Sequence, residues 1–110
     1  MAYGSASAFS NVAASQTDSS IVSAVTGKKI VVTGVYFVSG GTATNVTFNT
    51  KPAGSGTAIT ALVADATNGG AVLPYHPKGW FTTNLSEGLT VTTGTGSTTG
   101  IGVTYELVGA

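Results

Sequence analysis

The segment from Ile30 to Val38, IVVTGVYFV, is the longest predominantly apolar stretch of the chain. Its residues are mostly β-branched or aromatic, a composition typical of β-strands. Strict alternation divides its large side chains between two faces, with Ile30, Val32, Tyr36 and Val38 on one and Val31, Val35 and Phe37 on the other. Because both faces carry apolar residues, we expect a central strand that is covered on both sides, by a second layer or by another subunit.

The composition indicates a single domain whose surface is partly used in contacts. The 110 residues suffice for one domain with a sizeable core. Charged residues make up 7% of the chain, against about 25% in an average soluble domain. A surface with so few charges favours association, so we expect oligomer or assembly contacts; a polar surface of Ser, Thr and Asn is the alternative.

Several partner classes are disfavoured by the residues that are missing. The sequence has no Cys and no Arg, and four Lys balance four acidic residues. Without Arg, which is the side chain best suited to phosphate, we expect no direct contact with nucleic acid. No apolar run approaches the roughly 20 residues of a membrane helix, and the first residues lack a signal-peptide layout, so we expect neither membrane insertion nor export.

The turn signals predict an all-β fold of about eight short strands. Gly, Asn and Pro recur every eight to twelve residues between alternating segments, which favours a single antiparallel β-sandwich of jelly-roll-like type. Residues 1–18 show neither helical periodicity nor sustained alternation, so we predict an N-terminal arm over 1–18 and a sandwich domain over 19–110. The predicted strands are Ser19–Val25, Ile30–Val38, Thr42–Thr50, Thr57–Val63, Ala71–Tyr75, Leu89–Thr93 and Ile101–Val108, with a further apolar pair at Trp80–Phe81.

Two glycine-rich segments are predicted to be hairpin loops. Ser39–Thr42 has two central glycines, so Thr42–Thr50 is expected to return antiparallel to the central strand. Gly94–Gly100 resembles a phosphate-binding loop, but that mechanism needs a following helix, and the pattern after it is that of a strand.

Catalysis and metal binding are disfavoured by the scarcity of titratable side chains. His76 is the only histidine, and the four carboxylates are scattered along the chain. Clustered His metal sites and acid-base pairs both need more convergent groups, so we predict no enzyme, no metal and no cofactor. Trp80 and Phe81 are either an aromatic platform for a sugar ring or, as we favour, a plug at the open end of the sandwich.

Three segments carry a resemblance to a known family. They are GGAVLPYHPKGWF at Gly69–Phe81, SEGL at Ser86–Leu89 and GVTY at Gly102–Tyr105. This pattern resembles a family of small tailed-phage virion proteins over about Thr26 to Val108. The resemblance implies a capsid decoration, or cement, protein with a jelly-roll-like fold, synthesised in the bacterial cytoplasm and located on the outer surface of the virion head.

Two other functional classes are alternatives to a decoration protein. One is a tail or baseplate adhesin domain that binds host-surface glycan through Trp80 and the loop Gly94–Gly100. The other is a small cupin-like enzyme, which the missing His cluster disfavours.

The expected partners are copies of the chain and the phage major capsid protein. An open sandwich with few charges needs its edges and apolar outer face covered, which predicts a homotrimer. We predict a trimer interface on the outward face of Ile30–Val38 and part of Ala71–Phe81, with Val35, Phe37, Tyr75 and Trp80. The arm is predicted to order on the capsid through Tyr3, Phe9 and Val12.

Overall fold

The computed structural model describes residues 6–60 and 62–109, and all of their regular structure is β. Within these residues ten strands follow one another. They are β1 (Ala6–Val12), β2 (Ser19–Val22), β3 (Lys29–Ser39), β4 (Thr44–Lys51), β5 (Thr57–Ala58), β6 (Val63–Asp65), β7 (Gly70–Leu73), β8 (Phe81–Thr82), β9 (Gly88–Thr93) and β10 (Thr99–Val108).

The strands form two antiparallel sheets in jelly-roll order. Sheet A has the order β1-β10-β3-β7 with β8 also paired to β3, and sheet B has the order β2-β9-β4-β5 with β6 also paired to β4. Strands from the two halves of the chain pair as nested partners: β1 with β10, β2 with β9, β3 with β7 and β8, and β4 with β5 and β6. Successive nested pairs alternate between the sheets, which is a jelly roll. The predicted β-sandwich is confirmed, with β5–β6 and β7–β8 as interrupted strands.

The core lies between the sheets and is formed by branched aliphatic and aromatic side chains. At its centre the Phe48 ring of sheet B contacts two rings of sheet A, with centroids 6.3 Å from Phe37 and 5.2 Å from Phe81. The buried hydrophobic residues are Val12, Val22, Ile30, Val32, Val35, Phe37, Val46, Phe48, Leu89, Val91, Ile101 and Val103.

A β-bulge in β3 changes which of its side chains face the core. Thr104 of β10 is opposite Gly34, but the next residue, Tyr105, is opposite Val32, so Thr33 is an extra residue. Beyond such an inserted residue, the side chains that would have faced one side of the sheet face the other. Val32 and Val35 are therefore both buried, and the prediction that they face opposite sides is wrong.

The two predicted hairpins are connections between sheets. The segment after β3 leads to β4, and the segment after β9 leads to β10, and in both cases the two strands lie in different sheets. The two loops meet at one end of the sandwich, where the Gly40 N–H donates to the Thr98 carbonyl at 3.2 Å. The hairpin predictions were wrong. Glycines permit a tight turn, but they do not determine whether the two strands that the turn joins pair in one sheet or lie in the two facing sheets.

The N-terminal arm predicted for residues 1–18 is not what the structure shows for Ala6–Val12. These residues pair with β10 over their whole length, from Ala6 opposite Tyr105 to Val12 opposite Thr99. Val12 is 2% exposed and belongs to the core. Small residues face inward from β1, while Phe9 faces outward, so the apolar alternation that identifies a strand is weak here.

Thr99 and Thr44 allow a comparison of a buried hydroxyl group without a hydrogen bond and one with hydrogen bonds. Both side chains are buried, but Thr99 Oγ1 has no hydrogen-bond partner among the described residues, whereas Thr44 Oγ1 donates to the Thr42 carbonyl and accepts from the Ser97 N–H, both at 3.0 Å. Valine has the shape of threonine without the hydroxyl. We expect Thr99→Val to raise the free energy of unfolding by about 1 kcal/mol, because an unpaired buried hydroxyl is removed.

The matched variant Thr44→Val should lower the free energy of unfolding by about 1 to 2 kcal/mol, because the Ser97 N–H loses its acceptor. Denaturant unfolding followed by circular dichroism measures both changes. Equal losses of stability in the two variants would contradict this account of Thr99.

Candidate functional site: the apolar outer face of sheet A

One transverse row of side chains defines the outer face of sheet A. Phe9 of β1 is opposite Gly102 of β10, Gly102 is opposite Tyr36 of β3, and Tyr36 is opposite Val72 of β7. Phe9 is 60% exposed, Tyr36 44% and Val72 71%. Large apolar side chains from three strands thus stand on one solvent-facing surface.

Glycines in β10 make room for the rings of the neighbouring strands. A Cβ atom at Gly102 would overlap the Tyr36 ring, and one at Gly100 would lie 3.8 Å from Phe9 Cε1. The two rings therefore lean over a strand that has no side chains at these positions. This arrangement covers the backbone of β10 and leaves the outer surfaces of both rings in solvent.

The two rows next to the row of Phe9 and Tyr36 consist mostly of small polar residues and glycines, which project little from the sheet. One consists of Ser7, Thr104 and Gly34, and the other of Asn11, Gly100, Val38 and Gly70. No charged side chain belongs to any of the three rows. An open groove of about 680 Å³ lies on this face, lined by Ser7, Ala8, Phe9, Gly34, Val35, Tyr36, Val72, Leu73, Tyr75, Gly102, Val103 and Thr104.

Residues 74–80 leave sheet A at the bulge of β3 and border the groove. β7 pairs with Val35–Val38 and β8 with Val31–Val32, so the intervening segment departs where β3 has its extra residue. It stays close to β3, since the His76 N–H donates to the Thr33 carbonyl at 2.8 Å and the Trp80 N–H to the Val32 carbonyl at 2.7 Å. The bulge thereby positions an exposed aromatic segment beside the apolar face.

The side chains of this segment are held by local contacts. The Trp80 indole Nε1–H donates to the Pro74 carbonyl at 2.8 Å, and His76 Nδ1 accepts from the Lys78 N–H at 3.2 Å. The His76 and Trp80 rings meet edge to face, with centroids 5.9 Å apart. Tyr75, which is 60% exposed, stands at the edge of the groove.

The outer face of sheet B is polar by comparison. Thr47 and Asn49 of β4 lie opposite Thr92 and Thr90 of β9, and the Asn49 amide donates to Thr92 Oγ1 at 2.9 Å. Asn49 and Thr90 are buried, and both donate hydrogen bonds to the Asp18 carboxylate. Their polar groups are therefore satisfied within the chain, and this part of the face is already covered. The two outer faces therefore differ in chemistry, and the apolar one is the candidate for contacts.

The structure separates the predicted interface residues into two groups. Val35 and Phe37 are 4% and 3% exposed, and they point into the core. Their assignment to a trimer interface is wrong, because the bulge turns this half of β3 so that Tyr36 and Val38 face outward instead. Tyr75 and Trp80 are exposed beside the apolar face, and their role at an interface stays a prediction.

The predicted capsid-contact residues also separate. Val12 is buried between the sheets, so its assignment to a docking arm is wrong. Phe9 is on the exposed face, and its contact with a capsid stays a prediction. Tyr3 lies outside the described residues.

Tyr36, Val38 and Val72 are the exposed apolar residues of this face that sequence reasoning did not name as interface residues. Tyr36 and Val38 were assigned to the same face as Ile30, which is buried. Gly34 next to Thr33 was the one available signal, because a glycine inside a strand pattern often marks a bulge. That signal does not fix where the alternation reverses.

The residues considered for chemistry are not brought together. No group of three His, Asp or Glu residues that could hold a metal occurs within 6–60 and 62–109. The two elements proposed for a glycan site lie toward opposite ends of β3: Trp80 is bonded to Val32, while Thr98 and Thr99 adjoin Gly40 and Ser39. Seven strand positions separate Val32 from Ser39, roughly 23 Å at the rise of a β-strand, so Trp80 and the loop do not form one sugar site.

No protein-family model, no characterised protein and no solved structure matches the chain. In the part of the chain that the structure describes, no helix is long and apolar enough to cross a membrane.

Proposed function

We propose that this protein is a structural component of a phage virion, a capsid decoration or cement protein that binds the outside of the head as a homotrimer. The observation that carries the proposal is the apolar surface on the outer face of sheet A, with Phe9, Tyr36, Val72 and Tyr75 in solvent and no charged side chain in its three central rows. Apolar surface of this kind is characteristic of protein contact sites. The sequence resemblance in Gly69–Phe81 supplies the phage setting.

The physical requirement of cementing is a rigid body that binds the assembled shell better than its dissociated subunits. Such binding stabilises the shell by mass action. A jelly roll provides rigidity, since its two sheets share one closely packed core. Three copies in one assembly also raise the effective concentration of each contact, so weak single contacts add up to durable attachment.

Phe9 is the described residue that we assign to the capsid contact. It lies on β1, which is an edge strand of sheet A. An edge strand offers unpaired backbone groups to which an extended segment of a capsid protein adds by β-augmentation. The adjacent Phe9 ring would then pack on that segment.

We expect the purified protein to bind heads that lack it, to saturate at a fixed copy number, and to raise the temperature at which the heads release DNA. Phe9→Ser should weaken binding to heads at least tenfold, because burial of a phenylalanine contributes about 1.5 to 3 kcal/mol. Cosedimentation with heads measures the affinity. Leu85→Ser, at another exposed apolar residue, is the matched control.

Failure of the wild-type protein to bind heads would overturn the proposed function. Specific retention on a glycan array without head binding would favour the adhesin alternative. Equal binding by Phe9→Ser and wild type would leave decoration intact but reject Phe9 as the contact.

A further inference from the structure

We propose that a second copy of this chain packs on the outer face of sheet A, on the side formed by Tyr36, Val38, Val72 and Tyr75. This inference rests on the proposed function for the number of copies, which is three. The surface is chosen from the exposed side chains of the structure. This placement corrects the sequence-based interface, which included Val35 and Phe37 from the buried side of β3.

The four side chains expose enough apolar area to form the centre of a specific interface. They are exposed at 44% for Tyr36, 51% for Val38, 71% for Val72 and 60% for Tyr75. Taking about 200 Å² for an aromatic residue and somewhat less for valine, they present roughly 400 Å² of mostly apolar surface. A standard interface buries about 800 Å² on each partner and is a little more than half apolar, so this cluster fits its apolar share.

The charges of the chain favour another copy as the occupant. No charged residue belongs to the three central rows of the face, and Glu106 is the next outward residue of β10 beyond Thr104, so charge complementarity has no anchor at the centre of the surface. The whole chain has a formal net charge of 0. Copies of a neutral chain do not repel one another, and in a cyclic trimer one part of this apolar surface contacts a different part of it on the next copy.

The face carries projecting side chains next to an open groove. Tyr36 and Val72 project from the sheet in one row. Gly34, between them and Tyr75, has no side chain and leaves a depression. A Cβ atom built at Gly34 would lie 2.8 Å from Thr104 Oγ1 and 3.7 Å from the Tyr75 N. One face therefore offers both projecting side chains and the groove that receives them. A projecting side chain of one copy fits the groove of the next, as in the packed centre of an interface.

Val72→Lys tests this surface with little risk to folding, because Val72 is 71% exposed on an edge strand. We expect wild type to be an assembly at micromolar concentration and the variant to have a dissociation constant about a hundredfold higher, shifting the mass toward the 10.8 kDa of one chain. Sedimentation velocity measures the mass, and circular dichroism checks the fold. Leu62→Lys adds the same charge at a 62% exposed leucine off this face and should leave the assembly unchanged.

A thiol-protection experiment tests the same surface without a charge. The natural chain has no cysteine, so Val72→Cys and Leu62→Cys each carry one thiol. We expect the thiol at position 72 to react with a maleimide at least tenfold more slowly at high protein concentration than at low, and the thiol at position 62 to react equally at both.

Three outcomes would overturn the proposed surface: a wild-type protein that stays monomeric, a folded Val72→Lys protein with unchanged mass, or a thiol at position 72 that is protected only on heads. The last would assign this face to the capsid. A monomeric wild type would also reject the homotrimer, but binding to heads is measured separately, so failure of this surface is distinguishable from failure of capsid decoration. A dimer would support the surface and reject the homotrimer.

Discussion

Replacing Phe48 by alanine should lower the free energy of unfolding by about 3 to 5 kcal/mol, which is a large part of the 5 to 15 kcal/mol typical of a domain. Phe48 is 2% exposed and is the ring through which sheet B contacts Phe37 and Phe81 of sheet A. Its removal leaves a cavity between two sheets whose strands are fixed by hydrogen bonds and cannot close over it. Urea unfolding of the purified variant measures the loss.

Phe9→Ala is the matched control for Phe48→Ala. It removes the same side chain from a position that is 60% exposed, so we expect a loss below about 1 kcal/mol. Similar losses in the two variants would contradict the assignment of β1 and β4, because they would mean that Phe9 is also part of the core.

Replacing Asp18 by alanine should lower the free energy of unfolding by about 2 to 3 kcal/mol. Its carboxylate accepts hydrogen bonds from Asn49 Nδ2 at 3.2 Å, Thr90 Oγ1 at 3.1 Å and the Gly56 N–H at 3.0 Å. It thereby joins the segment before β2 to β4, β9 and the loop before β5. Without the carboxylate these donors lose a charged acceptor in a partly buried site.

Two further variants separate hydrogen bonding from charge. Asp18→Asn keeps the shape and one acceptor oxygen, so we expect about half the loss of Asp18→Ala. Glu106→Ala removes the same charge from a side chain with no hydrogen bond among the described residues, and it should change stability by less than about 0.5 kcal/mol. Thermal unfolding of the three variants under one buffer gives the comparison. A loss in Glu106→Ala as large as that in Asp18→Ala would show that charge, not hydrogen bonding, is responsible.

The sequence predicted an apolar contact surface, but it identified only some of the residues that form the candidate site. Low charge and an apolar central strand indicated a contact surface, and Phe9, Tyr75 and Trp80 are exposed at or beside the face. Tyr36, Val38 and Val72 were missed, while Val35 and Phe37 were wrongly included. For the four residues of β3 the cause is one inserted residue, Thr33, since a shift of a single position moves every later side chain of the strand to the opposite face.

The sequence alone determined the all-β class and the position of most long strands, because β-branched alternation and glycine turns act within a few residues of chain. It did not determine which strands pair. β3 and β4 follow one another across Gly40 and Gly41 but lie in different sheets, and β1 finds its partner in β10 at the other end of the chain.

Those pairings depend on burial of one shared core, to which Val12, Phe37 and Phe48 contribute from distant parts of the sequence. Only the tertiary structure therefore decided that residues 6–12 are a strand and not part of an arm. It also decided which side of β3 faces solvent. Packing across the whole sandwich selects the register, and local alternation cannot anticipate a bulge that such packing stabilises.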